Sequence, residues 1–508
     1  MSQSRSLEGL APCLSLAEAL NGASSFQAVG ERMKQYDVIA VGTGSVMAVV
    51  EAMIEKNPRA KIAVIDKDEP GGICLTRGCI PSKVLLYPAE LVRTIRRARG
   101  FGLDVELRSV DFVKVMERMH ALIHKDIDQI REGLSSSENI DYFHAPAEFT
   151  APYTMLADGI EIRASTILLG AGSEPIIPEI SGLAEAGYLT SDTILGIRKL
   201  PPRVAVIGGG YIAAEYGFFL ATMGADVTIL GRNPQFLPEE EPEVSQVART
   251  HLSEVMRIET NHEVVEVTRT GDGKRLRARD RGTKKETVVA ADEILVATGR
   301  GPVRILHPEH AGIKTDANGW IVTDEYLATS QPNVWALGDA TGKFPFKHKA
   351  NYDAQILYDN LLGGERRKVD YHAVPHAVFT DPEVASVGLK EAEALKEFGS
   401  ANVLIGFYQY QDTAKGEAMD VKDYFVKVLV ERRGHAILGA HIVGPEASVL
   451  IQEIINLMYT KDRSVDPVRE GMHIHPALSE VVERACLNLM LPEHYHHTIE
   501  HALDVRSR

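Results

Sequence analysis

The chain has 508 residues, 44% hydrophobic and 25% charged, with a formal net charge of −15 at pH 7. This length exceeds what one hydrophobic core supports and predicts about three domains of roughly 100–200 residues each. The acidic balance argues against nucleic acid and anionic membranes as main partners, because both bind basic surfaces. No run of about 18 apolar residues occurs, so no transmembrane helix is predicted.

Residues 1–32 precede the first predicted strand and are expected to form a disordered N-terminal extension. The stretch Leu7–Ala19 is broken by Pro12 and lacks the dense apolar centre and the cleavage site of a secretory signal. Met33 stands just before the first predicted strand and is for that reason a candidate start codon. Because the chain has only four cysteines, a cytoplasmic location is expected, where a disulfide is usually catalytic.

A βαβ pattern begins with the predicted strand Tyr36–Val41. Gly42 and Gly44 form the turn before a predicted helix, and the next strand ends at Asp66. Such a turn lets backbone N–H groups approach a pyrophosphate at the helix N-terminus, and the acid can accept a hydrogen bond from a ribose hydroxyl. Met47 replaces the third glycine of this fingerprint, so a chance glycine-rich turn is the alternative.

Two cysteines, Cys74 and Cys79, follow this unit with four residues between them, and Lys83 stands shortly after. A helix dipole stabilises a thiolate at the helix N-terminus, and a lysine one turn later adds positive charge. We therefore predict a redox-active pair, with Cys79 accepting electrons and Cys74 further towards the substrate. The alternatives are a structural pair or half of a zinc site, but no second cysteine pair completes such a site. Cys13 and Cys486 are expected to be unpaired structural thiols.

A second glycine fingerprint follows the predicted strand Arg203–Ile207. Gly208, Gly210 and Ala213 occupy its three positions, and the next strand is Asp226–Leu230. Two dinucleotide sites in one chain predict two cofactors, which is a more specific signal than either site alone. Two unrelated α/β domains with glycine turns are the alternative.

Histidines recur in two segments. Residues 110–134 form a helical pattern with His120 and His124 four apart, and a solvated or core helix is favoured over a metal site because no third ligand is near. A later group comprises His494, His496, His497 and His501. We expect this group to belong to a flexible C-terminal tail, and we predict no metal site.

Several strands are predicted to end at glycines. A strand within 164–175 ends at Gly172, and a later one ends at Gly299, as is typical of crossovers between two nucleotide domains. A third ends at Gly338 and Asp339. After about residue 370, short strands and helices without a glycine fingerprint predict an α+β domain.

Together these motifs resemble the pyridine nucleotide-disulfide oxidoreductases, and most closely the dihydrolipoamide dehydrogenases, over residues 36–483. The resemblance rests on the cysteine run with Pro81, Ser82 and Lys83, on Tyr211 and Glu215 after the second fingerprint, on Gly338 and Asp339, and on His473–Glu480. It implies an α/β fold with two Rossmann-like dinucleotide-binding domains, for FAD and for NAD(P), and a C-terminal α+β dimerisation domain. It also implies a homodimer in which the C-terminal domain of one subunit completes the active site of the other.

The domains implied by the resemblance are interleaved along the chain. The FAD-binding domain is expected to comprise residues 33–185 and 306–370. The NAD(P)-binding domain is expected over residues 186–305 and the dimerisation domain over residues 371–508.

Cofactor contacts are implied residue by residue. Asp66 would bind the adenosine ribose of FAD, and Asp339 would bind its ribityl side. Lys83 would lie near flavin N5 and pair with Glu215, and Tyr211 would cover the flavin until the nicotinamide displaces it. The backbone positions expected at the two cofactor sites are Gly42, Gly44, Gly172, Gly208, Gly210, Ala213 and Gly299.

The resemblance also implies the catalytic roles. Cys79 would contact the flavin, and Cys74 would exchange disulfides with the substrate. His475 of the other subunit would be the acid/base, oriented by Glu480. Histidine can give and take a proton near neutral pH, and a carboxylate at its other ring nitrogen fixes the tautomer and raises its basicity.

Departures from the family pattern bear on the cofactors. Met47 and Ala171 stand where the family commonly has a small residue and a threonine. NAD-using relatives end the second strand of the NAD(P) domain with a glutamate, whereas this chain has Gly231 followed by Arg232. The guanidinium of an arginine can donate two hydrogen bonds to a phosphate, and without the glutamate no carboxylate repels the 2′-phosphate of NADP(H). NADP(H) is therefore favoured over NAD(H), with a solvated surface arginine as the alternative.

The leading functional hypothesis is a flavin enzyme that moves electrons between NAD(P)H and a dithiol or disulfide, as dihydrolipoamide dehydrogenases do. The substrate would be a small molecule, with a lipoyl group among the candidates. The runner-up is an NADPH-dependent reductase of another low-molecular-weight disulfide. A mercuric reductase is disfavoured because mercuric reductases carry a pair of cysteines near the C-terminus, whereas the C-terminal segment of this chain has only Cys486. A non-catalytic FAD-binding subunit is disfavoured because Cys74, Cys79, His475 and Glu480 are all present.

Overall fold

The computed structural model describes residues 33–502, so the expectations about residues 1–32 and about Cys13 lie outside the described residues. Across residues 33–502, no helix is both long and apolar enough to cross a bilayer. The described chain divides into two compact units. The first takes in the chain up to Cys79, Leu122–Glu174 and Arg300–Val369, and the second takes in Ile80–Ala121, Pro175–Gly299 and the chain from Asp370 onwards.

The described chain contains stretches in which helices and strands alternate and two long runs of consecutive strands. The first are β1 (Lys34–Val41), α1 (Val46–Lys56), β2 (Ile62–Asp66), α2 (Gly72–Thr76), α3 (Cys79–Arg97), α4 (Phe112–Ser136), β3 (Ile140–His144), β4 (Glu148–Ala151), β5 (Thr154–Ala157), β6 (Ile160–Leu169) and β7 (Glu174–Pro175). The next are α5 (Leu183–Ala186), β8 (Leu189–Thr190), β9 (Arg203–Ile207), α6 (Tyr211–Met223), β10 (Asp226–Leu230), α7 (Pro242–Leu252), β11 (Arg257–Glu259), β12 (His262–Thr270), β13 (Gly273–Asp280), β14 (Glu286–Ala291), β15 (Glu293–Val296), β16 (Arg300–Gly301), β17 (Val334–Ala336) and α8 (Lys347–Tyr358). The last are β18 (His376–Val378), β19 (Glu383–Gly388), α9 (Glu391–Phe398), β20 (Val403–Gln409), α10 (Ala414–Ala418), β21 (Phe425–Glu431), β22 (Ile437–Gly444), α11 (Ala447–Met458), α12 (Asp466–Glu470), α13 (Ser479–Leu487), β23 (Leu489–Met490) and α14 (Pro492–Ala502).

A seven-stranded sheet forms the centre of the first unit, in the order β3-β2-β1-β6-β5-β4 with β17 also paired to β6. Its strands β3, β2, β1, β6 and β17 are parallel to one another. Along β1, Ile39 and Val41 pack into one hydrophobic cluster and Val38 and Ala40 into another. The sheet is therefore buried on both faces, which explains the continuous apolar run that predicted this strand. The strand expected within 164–175 lies earlier, because β6 ends at Leu169.

The second unit repeats this arrangement in a five-stranded parallel sheet, in the order β11-β10-β9-β15-β8. In both sheets the strand before the glycine turn (β1 or β9) lies between the strand that follows the next helix (β2 or β10) and a later parallel strand (β6 or β15), so the internal repeat predicted from the two fingerprints is confirmed. Helix α6, which follows the second fingerprint, is buried along its whole length from Ala213. A helix that is apolar all round is one that other elements cover on all sides.

The C-terminal part of the second unit is an α+β region, as predicted after residue 370. Strands β18 to β23 form a six-stranded sheet in the order β18-β19-β22-β21-β20-β23. The expected flexible tail is wrong for residues 492–502, which form helix α14. The physical reason is Tyr495, whose ring is buried against Phe407 and whose hydroxyl donates to Glu243 Oε1 at 2.5 Å.

Candidate active site

Both glycine turns have a backbone that only glycine fits. Gly42 has a φ of +96°, and a Cβ there would lie 2.3 Å from the carbonyl oxygen of Gly170. Gly208 has a φ of +135°, and a Cβ there would lie 2.1 Å from the carbonyl oxygen of Ala297. Each turn thus packs against the end of the crossover strand and places a helix N-terminus at the carboxyl edge of its sheet. The other fingerprint positions in these turns are Gly44, Gly210 and Ala213.

Asp66 lies beside the first glycine turn, at the end of β2. Its Oδ2 accepts hydrogen bonds from the backbone N–H of Thr43 at 2.8 Å and from the Thr43 hydroxyl at 2.6 Å. Burial raises the pKa of Asp66. A carboxylate has about four lone-pair positions, so Asp66 retains acceptor capacity for a ribose hydroxyl.

Asp339 is held by two residues that the sequence did not single out. The Ser173 hydroxyl donates to Asp339 Oδ2 at 2.7 Å. The Arg300 guanidinium donates to the Ser173 hydroxyl at 2.9 Å and to the Ser173 carbonyl at 2.8 Å. Gly172 precedes Ser173, so this group brings the predicted Gly172 and Asp339 to one place in the first unit. The sequence signal for Ser173 and Arg300 is that each directly follows a glycine predicted at a cofactor site, Gly172 and Gly299 respectively.

The two cysteines lie on two successive helices, Cys74 on the short helix α2 and Cys79 on the long helix α3. Cys74 is half-buried in α2, and Cys79 is exposed as the first residue of α3. Arg77, which stands between them, ion-pairs with Asp68 and donates to the Thr76 hydroxyl at 3.0 Å, which fixes the loop. Cys79 lies at the N-terminus of the 19-residue helix α3, a position that favours a thiolate.

Lys83 and Glu215 form the ion pair that the resemblance implies. Lys83 Nζ donates to Glu215 Oε1 at 2.9 Å and to Oε2 at 2.8 Å. The pair has a third member, Phe379, which the sequence did not indicate. Its backbone N–H donates to Glu215 Oε1 at 3.0 Å, and its ring lies 4.5 Å from Lys83 Nζ. Phe379 thus contacts both charges and holds them in one geometry.

His475 and Glu480 are also in contact. His475 Nδ1 lies 3.0 Å from Glu480 Oε1, and the backbone N–H of Ala477 donates to Glu480 Oε2 at 3.2 Å. The hydrogen bond from His475 lowers the pKa of Glu480. The Glu480 side chain is 8% exposed and the His475 side chain 70%, so the imidazole projects from a fixed carboxylate. Next to it Ile474 is 78% exposed, an apolar surface of the kind that a second subunit covers.

The remaining predicted residues lie in the second unit, near the ends of the strands of its parallel sheet. Tyr211 is the first residue of α6, directly after the glycine turn. The carbonyl of Gly299 accepts a hydrogen bond from the backbone N–H of Ile176 at 3.0 Å. Gly231 follows β10, and a Cβ there would lie 3.5 Å from Gly209 Cα, an ordinary contact. Arg232 comes next and is exposed.

Other histidines and the remaining described cysteine lie outside this site. His120 and His124 lie on helix α4, as predicted. Within residues 33–502, the side chains of His307, Glu309 and His310 place ligand atoms within 4.8 Å of one another on the surface. Cys486 is buried in α13, and burial raises the pKa of its thiol, in agreement with a structural role.

Family models and known proteins match the chain over nearly all of the described residues. A model described as pyridine nucleotide-disulphide oxidoreductase matches residues 36–354, and the model of the dimerisation domain of these enzymes matches residues 374–486. Mycothione reductase of Mycobacterium tuberculosis strain H37Rv is 34% identical over 469 residues, which cover 90% of this chain and 100% of that protein.

Other relatives carry different names. Dihydrolipoyl dehydrogenase of Chlamydia trachomatis is 33% identical over 467 residues, 90% of this chain and 98% of that protein. Mercuric reductase of Staphylococcus aureus is 32% identical over 419 residues, 82% of this chain and 76% of that protein. Among solved structures, the HOCl-induced flavoprotein disulfide reductase RclA from Escherichia coli has a TM-score of 0.77 and 26% identity, and the match covers 89% of this chain and 100% of that one. The protein therefore belongs to the pyridine nucleotide-disulphide oxidoreductases, a family of FAD-dependent enzymes that use a pyridine nucleotide, and it carries their dimerisation domain.

Proposed function

We propose that this protein is an NADPH-dependent reductase of a low-molecular-weight disulfide, acting through FAD and the Cys74–Cys79 pair. The overall reaction is NADPH + H⁺ + RSSR → NADP⁺ + 2 RSH. The observation that carries the proposal is the position of Cys79 at the N-terminus of α3, with Cys74 on the preceding helix. A cytoplasmic location, where such a disulfide is usually catalytic, is part of the proposal.

The residues of the first unit fit FAD. The positive-φ turn at Gly42 opens the helix N-terminus to a pyrophosphate, and Asp66 is fixed beside it. Asp339, held by Ser173, would bind the ribityl side. FAD, when bound, supplies two-electron transfer between the nicotinamide and the cysteine pair. Lys83, held by Glu215 and Phe379, would set the positive charge near the flavin ring.

The cysteines would perform the disulfide exchange. When the Cys74–Cys79 disulfide accepts two electrons, it opens to two sulfurs that share one proton. The Cys74 thiolate would attack one sulfur of RSSR, forming a mixed disulfide and releasing RS⁻. The Cys79 thiolate would then attack Cys74, which restores the protein disulfide and releases the second RS⁻.

His475 would carry the protons for this exchange. Because Glu480 accepts the hydrogen bond from Nδ1–H, the exposed Nε2 is the atom that gives and takes a proton. It would take the proton of the Cys74 thiol and deliver it to the departing RS⁻. In the proposed homodimer, His475 of one subunit would serve the cysteines of the other.

NADPH preference rests on the end of β10. A glutamate at this position would bind both ribose hydroxyls and repel a 2′-phosphate. Gly231 removes that repulsion, and Arg232 adds a cation. The proposed domains are 33–185 with 306–370 for FAD, 186–305 for NADPH and 371–508 for dimerisation.

A second candidate is dihydrolipoamide dehydrogenase activity, with a lipoyl group as the dithiol. The 33% identity to dihydrolipoyl dehydrogenase over 98% of that protein favours it. The same residues would act, in the reverse direction and with NAD⁺ as acceptor.

A substrate panel separates the two candidates. The purified flavoprotein is assayed with NADPH and NADH against linear low-molecular-weight disulfides and lipoamide, and with dihydrolipoamide plus NAD⁺. The proposal expects the highest kcat/KM for NADPH with a linear disulfide, and loss of turnover in Cys74→Ser. Fastest turnover of dihydrolipoamide with NAD⁺ would support the second candidate. Turnover that survives in Cys74→Ser would contradict both.

A further inference from the structure

A basic turn lies next to the end of β10, at the carboxyl edge of the parallel sheet in the second unit. The loops that follow β10 and β11 are joined by backbone hydrogen bonds. The N–H of Gly231 donates to the Glu259 carbonyl at 2.8 Å, and the N–H of His262 donates to the Gly231 carbonyl at 2.8 Å. The N–H of Asn261 donates to the Asn233 carbonyl at 2.7 Å. Dinucleotides bind in open parallel sheets at this edge, beyond the strand ends.

The turn between β13 and β14 is fixed against these loops. The backbone N–H of Arg281 donates to the Asn261 carbonyl at 2.8 Å, and its guanidinium donates to the Arg232 carbonyl at 3.3 Å. Asp280 Oδ1 accepts from the N–H groups of Gly282 at 2.8 Å and Thr283 at 2.7 Å. The hydrogen bond from Thr283 is the main cause that lowers the pKa of Asp280, so the turn keeps its acceptor at neutral pH. Arg281 is thus held beside Arg232 by backbone and side chain together.

Positively charged side chains outnumber negatively charged ones around the β13–β14 turn. In the part of the chain that the structure describes, no carboxylate forms an ion pair with Arg232, Arg281 or Lys284. Arg279 differs, because it pairs with Glu286 at 3.2 Å. A cavity of about 480 Å³ is lined by Asn261, Glu263, Arg279, Arg281, Gly282 and Lys284. Glu263 is its one acidic lining residue, so cations predominate around it.

We propose that Arg281, supported by Lys284, is a second specificity-determining group that binds the 2′-phosphate of NADPH together with Arg232. The inference rests on the proposed NADPH preference, and it adds a separate element, the β13–β14 turn, to the residue that follows β10. Within the described residues Arg232, Arg281 and Lys284 are not ion-paired, so a dianionic phosphate bound near them would gain their charge without breaking an existing ion pair. Guanidinium groups on two loops also match the several acceptor oxygens of a phosphate better than one arginine does.

Binding of adenosine 2′,5′-bisphosphate and of 5′-AMP to the FAD-loaded enzyme tests the proposal without turnover. Isothermal titration is carried out on the wild type, Arg281→Ala, Lys284→Ala and Arg232→Ala. Arg275→Ala is the matched control, because Arg275 is exposed on the same strand pair and its loss changes the net charge equally. We expect Arg281→Ala to weaken bisphosphate binding about tenfold, with 5′-AMP binding unchanged and with a smaller effect of Lys284→Ala.

The outcomes separate this inference from the proposed cofactor preference. A wild type that binds the bisphosphate and 5′-AMP equally would overturn both. If the wild type, Arg281→Ala and the Arg281→Ala/Lys284→Ala double variant all prefer the bisphosphate over 5′-AMP by the same factor, the proposed role of the turn is overturned. The proposed NADPH preference would then still stand. Equal losses in Arg281→Ala and Arg275→Ala would reduce the effect to general charge and would also overturn it.

Discussion

Lys83, Glu215 and Phe379 form a group in which one aromatic residue contacts both partners of an ion pair. The Phe379 N–H donates to a carboxylate that is nearly buried, and its ring faces an ammonium that is 35% exposed. A cation–π contact at such partial exposure stabilises by about 0.5–1 kcal/mol. Phe379 is therefore a positioning residue for the charge that the proposed mechanism sets near the flavin.

Replacing the ring should affect the half-reaction with NADPH. In Phe379→Leu the N–H is kept and the ring lost, so we expect anaerobic flavin reduction in a stopped-flow instrument to slow about two- to fivefold. Phe379→Trp, which restores an aromatic face, should recover most of the rate. Phe398→Leu, a half-buried phenylalanine at the end of α9, serves as the control. An equal effect in the control, or no rescue by tryptophan, would refute the positioning role.

Glu480 gives a pH-dependent prediction. The hydrogen bond from His475 lowers the pKa of Glu480, so the pair is fully present above the ordinary glutamate value of about 4.3 and is lost as the pH falls through the lowered value. Glu480→Gln should reduce kcat/KM for the disulfide about 10- to 100-fold at pH 6–8, because Nδ1 loses its charged acceptor. The ratio of wild type to variant should approach one in acid. Glu470→Gln is the exposed control; a ratio near one at neutral pH would show that Glu480 does not orient the imidazole.

The active-site residues fall into two groups by how they could be found. Cys74 and Cys79 lie in one short motif whose spacing and chemistry predict a redox pair, whereas His475 and Glu480 were predicted only through the family resemblance of the motif that contains them. Phe379 meets Glu215 across 164 positions of sequence, and Arg300 meets Ser173 across 127. Such pairs result from tertiary packing and leave no local pattern.

Among the elements, the parts with strong local signals were predicted correctly. The glycine turns and buried apolar strands β1 and β9 identified both Rossmann-like sheets. The antiparallel pairings in the C-terminal sheet were not predictable, since β19 pairs with β22 across a long intervening segment. Helix α14 was missed because its burial depends on one tyrosine in an otherwise polar, histidine-rich sequence.

Lys427 on β21 joins several elements of the second unit. Its Nζ lies 2.5 Å from Glu243 Oε1, 2.7 Å from Glu391 Oε2 and 3.4 Å from Glu241 Oε1, and its side chain is fully buried. Burial disfavours the ammonium, but the carboxylates, Glu243 foremost, prevail and raise the pKa of Lys427. One cation thus neutralises acids at the start of α7 and of α9.

Removing this cation should destabilise the second unit strongly. Lys427→Met leaves buried carboxylates without a counter-charge, and we expect the free energy of unfolding to fall by about 3–5 kcal/mol. Urea denaturation followed by circular dichroism measures the change. Lys396→Met, at an exposed position of α9, is the matched control and should be neutral. A variant as stable as the wild type would mean that the carboxylates take up protons without cost.

At the scale of the whole molecule, each compact unit is assembled from three separate stretches of chain. The family resemblance implied interleaved domains, and the family match to a dimerisation domain over 374–486 supports a homodimer. The exposed His475 and Ile474 have the character of a surface that is completed by a second copy. The substrate could not be predicted, because the motifs that carry the resemblance specify the redox chemistry and do not define the side chains that bind a substrate.

In the proposed reaction, electrons pass from NADPH through FAD to the Cys74–Cys79 pair. The most direct measurement is anaerobic reduction of the purified flavoprotein by one equivalent of NADPH, followed by absorbance in the wild type, Cys74→Ser and Cys79→Ser. The proposed electron path predicts that NADPH produces in the wild type a long-wavelength band from the Cys79 thiolate against oxidised flavin, and that Cys79→Ser shows no such band. In Cys74→Ser the band should be present before NADPH is added and should be lost as the flavin bleaches, because no disulfide is there to accept the two electrons. Bleaching of the flavin without that band in the wild type, or a band that persists in Cys79→Ser, would contradict the proposed path.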